Sequence, residues 1–371
     1  MGPSASSSSS NLLVFVPRPS LPAPRQTVGI IGWLGASLFN GWFNSILTLI
    51  GLGLLWETVP PLLSWAIFNA VWTGGPADCP AGHNGACWAF IYDKFRILMV
   101  GMYPAEQIWR PLLAGGIFVV LGAVTVFRLL NPLRLIALWF LFLLPVYWLI
   151  SGGLCLTVVD QSLWGGLMLS LGLAFVGILM SLPLGILLAL GRYSNFAIIK
   201  SICVGIIEPV RGVPLITILF MASVMMPLFL PVGININNLL RVQIGIILFS
   251  AAYIAEVVRG GLQAIPLGQY DAAKSIGLNY WKTTVLIILP QALRHVIPSL
   301  IGRCIALFKD TSLVIIVGLL DFLGMVKASA QDPDWLGHDA EAYVFCSIIY
   351  WVICFSMSRY GHSLEQKKEA E

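Results

Sequence analysis

Charged residues are scarce in this chain of 371 residues: Asp, Glu, Lys and Arg make up only 10% of it, whereas 58% is hydrophobic. A soluble domain carries roughly 25% charged residues, so an ordinary soluble fold is excluded. The mean hydropathy of +0.88 points the same way. Long continuous apolar runs do not match the alternating strands of a barrel, and the expected fold class is an all-α integral membrane protein.

Motifs for chemistry are also missing. The sequence has no Gly-x-x-x-x-Gly-Lys-Ser/Thr phosphate loop, so we expect no cofactor bound by this chain and no ATP hydrolysis. It has no Cys-x-x-Cys, no His-Glu-x-x-His and only four scattered histidines, so we expect no metal site. No ordered nucleophile and base mark a catalytic site, so the chain is not expected to be an enzyme. The net charge of +4 comes without a basic stripe, so we expect no nucleic acid partner.

The apolar runs predict about eight transmembrane helices, because about 20 residues cross a bilayer core of about 30 Å. An even number of spans puts both termini on one side. Basic residues divide 13 to 6 in favour of that side, and the positive-inside rule makes it cytoplasmic. The predicted ranges are 44–72, 112–130, 134–156, 163–190, 204–230, 240–262, 286–308 and 343–360.

Composition divides the chain into four parts. Residues 1–40 are rich in Ser and Pro and predict a flexible cytoplasmic tail. Residues 41–160 predict an extension with about three transmembrane helices and a large periplasmic loop at 73–111. The transmembrane core follows at 163–360, and a charged cytoplasmic tail closes the chain at 361–371.

Two cysteines lie in the large loop. Cys79 and Cys87 flank a turn-rich spacer that is short enough for a disulfide in an oxidising compartment. Two free thiols are the alternative.

A compact polar segment interrupts the apolar runs. It reads Asp271-Ala272-Ala273-Lys274-Ser275-Ile276-Gly277 and is followed, after nine residues, by Ile287-Ile288-Leu289-Pro290. Pro266 can open a helix here, Gly277 can close it in a left-handed cap, and Asn279 can cap the next helix. Tyr270, Ala273 and Gly277 fall on one nearly bare helix face. The pattern predicts a short helical knob that docks into a groove of another protein.

This segment resembles the EAA loop of ABC importer permeases, whose pattern is Glu-Ala-Ala, three residues, Gly, nine residues, Ile-x-Leu-Pro. Every spacing is kept, and Asp271 stands in place of Glu. Flanking stretches resemble the polar amino acid branch of that family, which includes histidine, glutamine and general L-amino acid importers. The N-terminal extension makes the chain most similar to the general L-amino acid permease subunit. The flanking stretches are Glu208–Ile216, Ala252–Ile265, Gln291–Arg294 and Lys309–Leu313.

The resemblance implies an ABC transmembrane type-1 domain at roughly 163–360, with a core of five helices as in type I importers. It implies a permease that moves L-amino acids across the bacterial inner membrane by alternating access. The implied partners are membrane lipid, a periplasmic amino-acid-binding protein, a second homologous permease in a heterodimer, and an ATPase subunit that binds ATP and Mg²⁺. The residues that couple to that ATPase are Asp271, Ala272, Ala273 and Gly277.

Charged residues inside apolar runs are the other candidate site residues, because each is costly unless it pairs or lines a wet path. Glu208 and Arg211 are three residues apart, and so are Glu256 and Arg259; we expect each couple to form a structural ion pair. Arg303 has no carboxylate near it in sequence. An unpaired guanidinium in a helical bundle would attract the carboxylate of an amino acid.

The stretch Lys309-Asp310-Thr311-Ser312 adds opposite charges and two hydroxyls, a set that suits a zwitterion. Because it resembles the family stretch beside the translocation path, we expect it to line that path. The alternative is a helix cap, with Asp310 or Thr311 preceding an apolar run that starts at Leu313.

An ion-gradient-driven secondary amino acid transporter is the alternative function. Such a protein would also be a helical bundle with buried charges, and would typically show broken helices in corresponding positions of two repeats. We find no clear internal repeat in the sequence. Uptake supported by ATP alone would separate the two functions.

Overall fold

The protein is described by a computed structural model over residues 29–369, except residues 81, 128 and 232. Within these residues the chain is helical, and extended pairing is limited to isolated bridges, which confirms the all-α fold class. The helices are α1 Gly29–Ser37, α2 Trp42–Leu63, α3 Trp88–Val100, α4 Trp109–Val126, α5 Pro132–Ser151, α6 Gly166–Tyr193, α7 Ala197–Gly212, α8 Leu215–Phe220, α9 Asn238–Gln263, α10 Leu267–Ser275, α11 Tyr280–Lys282, α12 Leu289–Asp310, α13 Phe322–Ala330 and α14 Asp339–Glu369.

The chain divides into two compact units, residues 1–69 and 70–371. The described part of the first unit consists of α1, α2 and a π-helical turn at Ser64–Phe68. Helix α1 begins inside the segment predicted as a flexible tail; residues 1–28 of that tail lie outside the described residues. Large apolar side chains of α2 are exposed, including Trp56 at 80%, as suits a helix surrounded by lipid.

Six described helical segments are long and apolar enough to cross a membrane, and a bent pair would make a seventh. The remaining predicted span, 286–308, is also helical, as a π-helical segment Thr283–Ile288 followed by α12. It does not reach the same apolar character, because α12 carries Arg294, His295 and Arg303. The six segments are Trp42–Phe68, Ala105–Val126, Leu133–Ser151, Gly166–Tyr193, Asn238–Gln263 and Asp339–Glu365.

The predicted single span at 204–230 is corrected by the structure. Helix α7 stops at Gly212, and the following segment Leu215–Phe229 leaves at an angle of 109°. Pro214 causes the break, because the residue before a proline is driven out of the helical region and the proline has no N–H to continue the ladder. Val213 accordingly has an extended backbone, with φ −113° and ψ 140°.

Glycines let the core helices of the second unit approach closely. A Cβ added to Gly185 on α6 would lie 2.6 Å from the side chain of Ile254 on α9. One added to Gly261 on α9 would lie 2.7 Å from the carbonyl oxygen of Ala292 on α12. Small residues at such contacts are typical of helices that associate in membranes. Helix α9 therefore packs directly against both α6 and α12.

The predicted large loop forms an ordered layer in which α3 packs against α13 and the start of α14. Cys79 and Cys87 are joined in a disulfide, one of the two alternatives that the sequence leaves open. The backbone N–H of Cys87 donates to Oε1 of Glu341 at 3.0 Å, and Nε2 of His338 lies 3.2 Å from the carbonyl oxygen of Cys79. Both His338 and Glu341 are buried. The disulfide loop is thus held against the first turn of α14.

The C-terminal segment predicted as a charged tail, 361–371, is helical as far as Glu369. Helix α14 runs on without interruption from Asp339, because no proline stands in this part of the sequence to stop it.

Candidate functional site

The polar segment folds as the short helix α10. Gly277 closes it with φ +77°, in the left-handed conformation that the sequence predicts. The N–H of Gly277 donates to the carbonyl oxygen of Lys274 at 2.9 Å, and the N–H of Leu278 donates to that of Ala273 at 3.1 Å. This pair of bonds is a Schellman motif, which satisfies carbonyls that the helix end would otherwise leave free.

Capping residues also set the neighbouring boundaries. Pro266 takes the N-cap position of α10, one residue earlier than the first-turn position predicted for it. The side chain of Asn279 accepts a hydrogen bond from the N–H of Lys282 at 2.9 Å, which confirms its predicted role as a helix cap. The helix that starts there leads through the π-helical segment into α12.

The face of α10 that is open to another protein differs from the predicted one. Ala273 is only 1% exposed, so it packs within its own chain and cannot touch a partner. Tyr270 is half-buried beside it and points toward α6, where its hydroxyl lies 3.5 Å from that of Tyr193. Gly277, by contrast, is exposed, and together with the exposed Asp271, Ala272 and Lys274 it forms the accessible face.

Five charged side chains form one cluster where α6, α7 and α9 meet. Arg192 lies 2.8 Å from a carboxylate oxygen of Glu208 and 3.2 Å from one of Glu256. Arg211 also binds Glu256, at 3.3 Å. Arg259 donates from Nε to Glu256 at 3.0 Å, which confirms the predicted pair of these two residues.

The predicted pair of Glu208 with Arg211 is not formed. Although the two residues are neighbours on α7, Glu208 reaches Arg192 on α6 and Arg211 reaches Glu256 on α9. Charges on the adjacent helices compete successfully with the local partner. The cluster holds three guanidiniums and two carboxylates, so one positive charge is left uncompensated within it.

Arg303 on α12 lies near this cluster without joining it. Its guanidinium carbon is 4.2 Å from the ring centroid of Tyr253 on α9. Its Nε and Nη2 atoms are buried and have no hydrogen-bond partner among the described residues. It also forms no ion pair within that part of the chain. The carboxylate that interacts electrostatically with Arg303 is that of Asp310, seven residues later on α12.

The stretch after Arg303 uses most of its polar groups internally. The hydroxyl of Thr311 is buried and donates to the carbonyl oxygen of Phe308 at 2.8 Å. The hydroxyl of Ser312 donates to the carbonyl oxygen of Lys309 at 2.8 Å. Asp310 is half-buried and takes the N-cap position of a 3₁₀ helix at Thr311–Val317, as the alternative interpretation expects, but its side chain makes no capping hydrogen bond. Lys309 is exposed.

A salt bridge holds together the ordered layer of α3, α13 and the start of α14. Nζ of Lys94 on α3 lies 2.7 Å from a carboxylate oxygen of Asp332, which follows α13. The hydrogen bond from Lys94 holds the pKa of Asp332 below its usual range. The indole N–H of Trp335 donates to Asp93 at 3.1 Å, which adds a second contact to α3.

Comparison with known proteins assigns the chain. Residues 181–369 match the model of the binding-protein-dependent transport system inner membrane component family. The chain belongs to this permease family. It is 50% identical over 358 residues to the inner membrane amino-acid ABC transporter permease protein YhdY of Escherichia coli, covering 95% of this chain and 97% of that protein.

Two further relatives extend the comparison. The permease is 39% identical over 416 residues to the glutamate/glutamine/aspartate/asparagine transport system permease protein BztC of Rhodobacter capsulatus, covering 93% of this chain and 95% of that protein. A crystal structure of an amino acid ABC transporter with histidines is similar at 27% identity and a TM-score of 0.49, covering 54% of this chain and 92% of that chain. The family match, the two named permeases and the long apolar helices show that the permease is a multi-pass transport component of the inner membrane.

Two residues of the permease site have no clear signal in the sequence. Arg192 lies at the end of an apolar run, where a basic residue is usual, and Tyr253 is one aromatic among many. Only the packing of α6, α7, α9 and α12 shows that Arg192 joins two carboxylates and that Tyr253 faces Arg303.

Proposed function

We propose that this permease forms the membrane path of an ATP-driven importer of L-amino acids that works by alternating access. The single observation that carries the proposal is α10, an exposed helical knob that keeps every spacing of the EAA loop. Two permeases named for amino acid transport match the chain almost from end to end, which supports the substrate class. An ion-gradient transporter would have no use for such a knob.

The exposed face of α10 is the proposed docking site for the ATPase subunit, which would bind ATP and Mg²⁺. Leu267, at the start of α10, and Ile276, just after its end, are 77% and 72% exposed, and the exposed Asp271 and Lys274 lie between them in the sequence. Apolar anchors surrounded by charges are typical of protein interfaces. Only Ala264, Ile265 and Pro266 separate α10 from α9. Movement of the ATPase would therefore pass directly into α9, which packs against α6 and α12.

The two ends of α6 support a cytoplasmic α10. The location of both termini on that side stays a prediction. The start of α6 touches the disulfide-bonded layer, since the N–H of Gly166 donates to the carbonyl oxygen of Leu320. The end of α6 touches α10 through Tyr193. A helix of 28 residues separates these contacts by about 42 Å, which exceeds a bilayer core. A disulfide needs an oxidising compartment, so its layer faces the periplasm.

The periplasmic layer is the proposed docking surface for the amino-acid-binding protein. Its disulfide, its buried His338 and Glu341, and the Lys94–Asp332 salt bridge hold α3, α13 and α14 in one arrangement. A preorganised surface loses little entropy when a partner docks. A second, homologous but different permease would complete the membrane path, as the resemblance implies.

Arg303 and Asp310 are the proposed contacts of the substrate. They are seven residues apart on α12, so they lie on one face about 10 Å apart along the helix. Arg303 has free donors for a carboxylate, and the half-buried Asp310 can accept from an ammonium group. The hydroxyls of Thr311 and Ser312 are already used by the backbone. Lys309 stays a prediction.

Co-purification tests the proposed assembly. The permease carrying an affinity tag is extracted from membranes, and the proteins that come with it are identified by mass spectrometry. We expect an ATPase subunit and a second permease in defined stoichiometry. Recovery of the tagged protein alone, with amino acid uptake that follows an ion gradient, would favour the secondary transporter instead.

A further inference from the structure

Two guanidiniums from different helices lie close to the ring of Tyr253. The guanidinium carbon of Arg303 on α12 is 4.2 Å from the ring centroid, and that of Arg211 on α7 is 5.6 Å from it. Phe249, one turn earlier on α9, packs on the ring with centroids 4.9 Å apart. The tyrosine hydroxyl donates to the carbonyl oxygen of Arg211 at 3.4 Å. The ring is therefore held by Phe249 and by the hydrogen bond of its hydroxyl, and the guanidinium of Arg303 lies over its face.

A ring holds a guanidinium in a different way from a carboxylate. The attraction acts between the cation and the electron-rich face, so it uses none of the N–H donors. The same helix α9 carries Glu256, and that carboxylate is occupied by Arg192, Arg211 and Arg259. Arg303 consequently keeps Nε and Nη2 buried and unpaired among the described residues.

We infer that Tyr253 is a positioning residue that holds the Arg303 guanidinium by its ring face and so leaves the donors of Arg303 free for the carboxylate of the transported amino acid. This inference rests on the proposed contact between Arg303 and the substrate. Arg211 belongs to the Glu256 cluster, so the ring contacts both that cluster and Arg303, the proposed substrate contact.

The test measures binding of radiolabelled L-glutamine to the complete purified transporter without its binding protein. Tyr253→Leu removes the ring and is expected to weaken binding about 2- to 30-fold, the range of a cation–π contact. Tyr253→Phe keeps the ring face and is expected to stay within about twofold of wild type. Phe308→Leu is the matched control, because it removes a buried ring of α12 that packs on Tyr350 and faces no guanidinium. Each variant is checked for normal co-purification with the ATPase.

A double-mutant cycle separates the two levels of the argument. In an Arg303→Gln background, Tyr253→Leu is expected to have no further effect on binding, since it acts through Arg303. If Arg303→Gln weakens binding and Tyr253→Leu adds its full effect on top, the positioning role is wrong while the substrate contact stands. If Arg303→Gln leaves binding unchanged, the substrate contact fails and the inference fails with it. Equal losses in the Phe and Leu variants would also overturn it, because the ring face would then not matter.

Discussion

At the scale of single residues, the charges within the bundle fall into two kinds. Glu256 binds three guanidiniums, and such a shared carboxylate ties helices together rather than contacting a ligand. Arg303 is the opposite case, since its charge rests on the ring of Tyr253 and two of its donor atoms have no partner among the described residues. Burial without a partner is costly, and a substrate carboxylate would remove that cost.

Replacing Arg303 with Gln should abolish recognition of the substrate carboxylate. Hydrogen bonds to charged groups contribute about 1.5–3 kcal/mol, so L-glutamine should bind about 10- to 150-fold more weakly. L-Glutaminamide, which lacks the carboxylate, should bind equally to wild type and variant. Arg294→Gln is the control, because Arg294 is an exposed guanidinium on the same helix. A variant that still prefers the acid to the amide would contradict the role of Arg303.

The disulfide should be detectable as two protected thiols. Maleimide-polyethylene glycol should label two more cysteines after reduction of the denatured protein, with Cys79→Ser/Cys87→Ser showing no such increase. Closing a loop of this size contributes about 2.5 kcal/mol to stability by loop entropy. The double variant should therefore lose order in the layer of α3, α13 and the start of α14. Faster hydrogen exchange over residues 82–100 would show this loss. Unchanged labelling on reduction would mean that the two thiols are free.

At the scale of elements, the ends of α10 are set by residues close in sequence, whereas its proposed effect reaches distant helices. Its Schellman motif stops the helix after nine residues, and Asn279 starts the next one. Ala273 and Tyr270 anchor one side of α10 to its own chain, which leaves the side with Asp271 and Ala272 exposed. An anchored knob can transmit force in both directions, whereas a free loop would absorb it.

Replacing Gly277 with Asp should uncouple the permease without removing it from the membrane. A side chain at φ +77° costs about 1–2 kcal/mol, and its bulk would block the close approach of a partner. We expect about tenfold weaker retention of the ATPase. Gly233→Asp is the matched control, because Gly233 also has positive φ, has open space around it and lies far along the chain from α10. Normal stimulation of ATP hydrolysis by loaded binding protein in Gly277→Asp would count against coupling through α10.

At the scale of the whole molecule, long helices connect the ordered layer of α3, α13 and the start of α14 to α10. The ordered layer meets the start of α6, and α10 meets its end. The charge cluster lies toward the α10 end of α6, because Arg192 directly precedes Tyr193, and Tyr253 contacts both Arg211 of that cluster and Arg303. Glycine contacts pack α9 against α6 and α12. This arrangement suits a protein that receives a signal at one face and changes access at the other.

Uptake by the reconstituted complex should depend on ATP and on no ion gradient. When ATP is enclosed in the lumen of proteoliposomes and α10 faces that lumen, the vesicles should accumulate L-glutamine. Ionophores should leave the rate of uptake unchanged. The permease reconstituted without partners should show no uptake. Gradient-driven uptake by the permease alone would contradict the importer.

Much of the molecule was determined by the sequence itself. Scarce charge and long apolar runs specify membrane helices, because the cost of burying polar groups in lipid dominates every other preference. The caps at Gly277 and Asn279 and the Glu256–Arg259 pair follow from contacts within a few residues. The short spacer between Cys79 and Cys87 allows a disulfide, although the sequence leaves two free thiols as the alternative. The EAA spacing identifies the family on the same local basis.

The tertiary structure alone decided which charges meet and which face of α10 is free. Glu208 pairs with Arg192 on α6 rather than with its neighbour Arg211, and Ala273 becomes buried. Tyr253 gains its importance only because α9 and α12 place it against Arg303. Pairings of this kind depend on side chains from separate helices competing for the same partner, and the spacing of residues along the chain does not record the outcome of that competition.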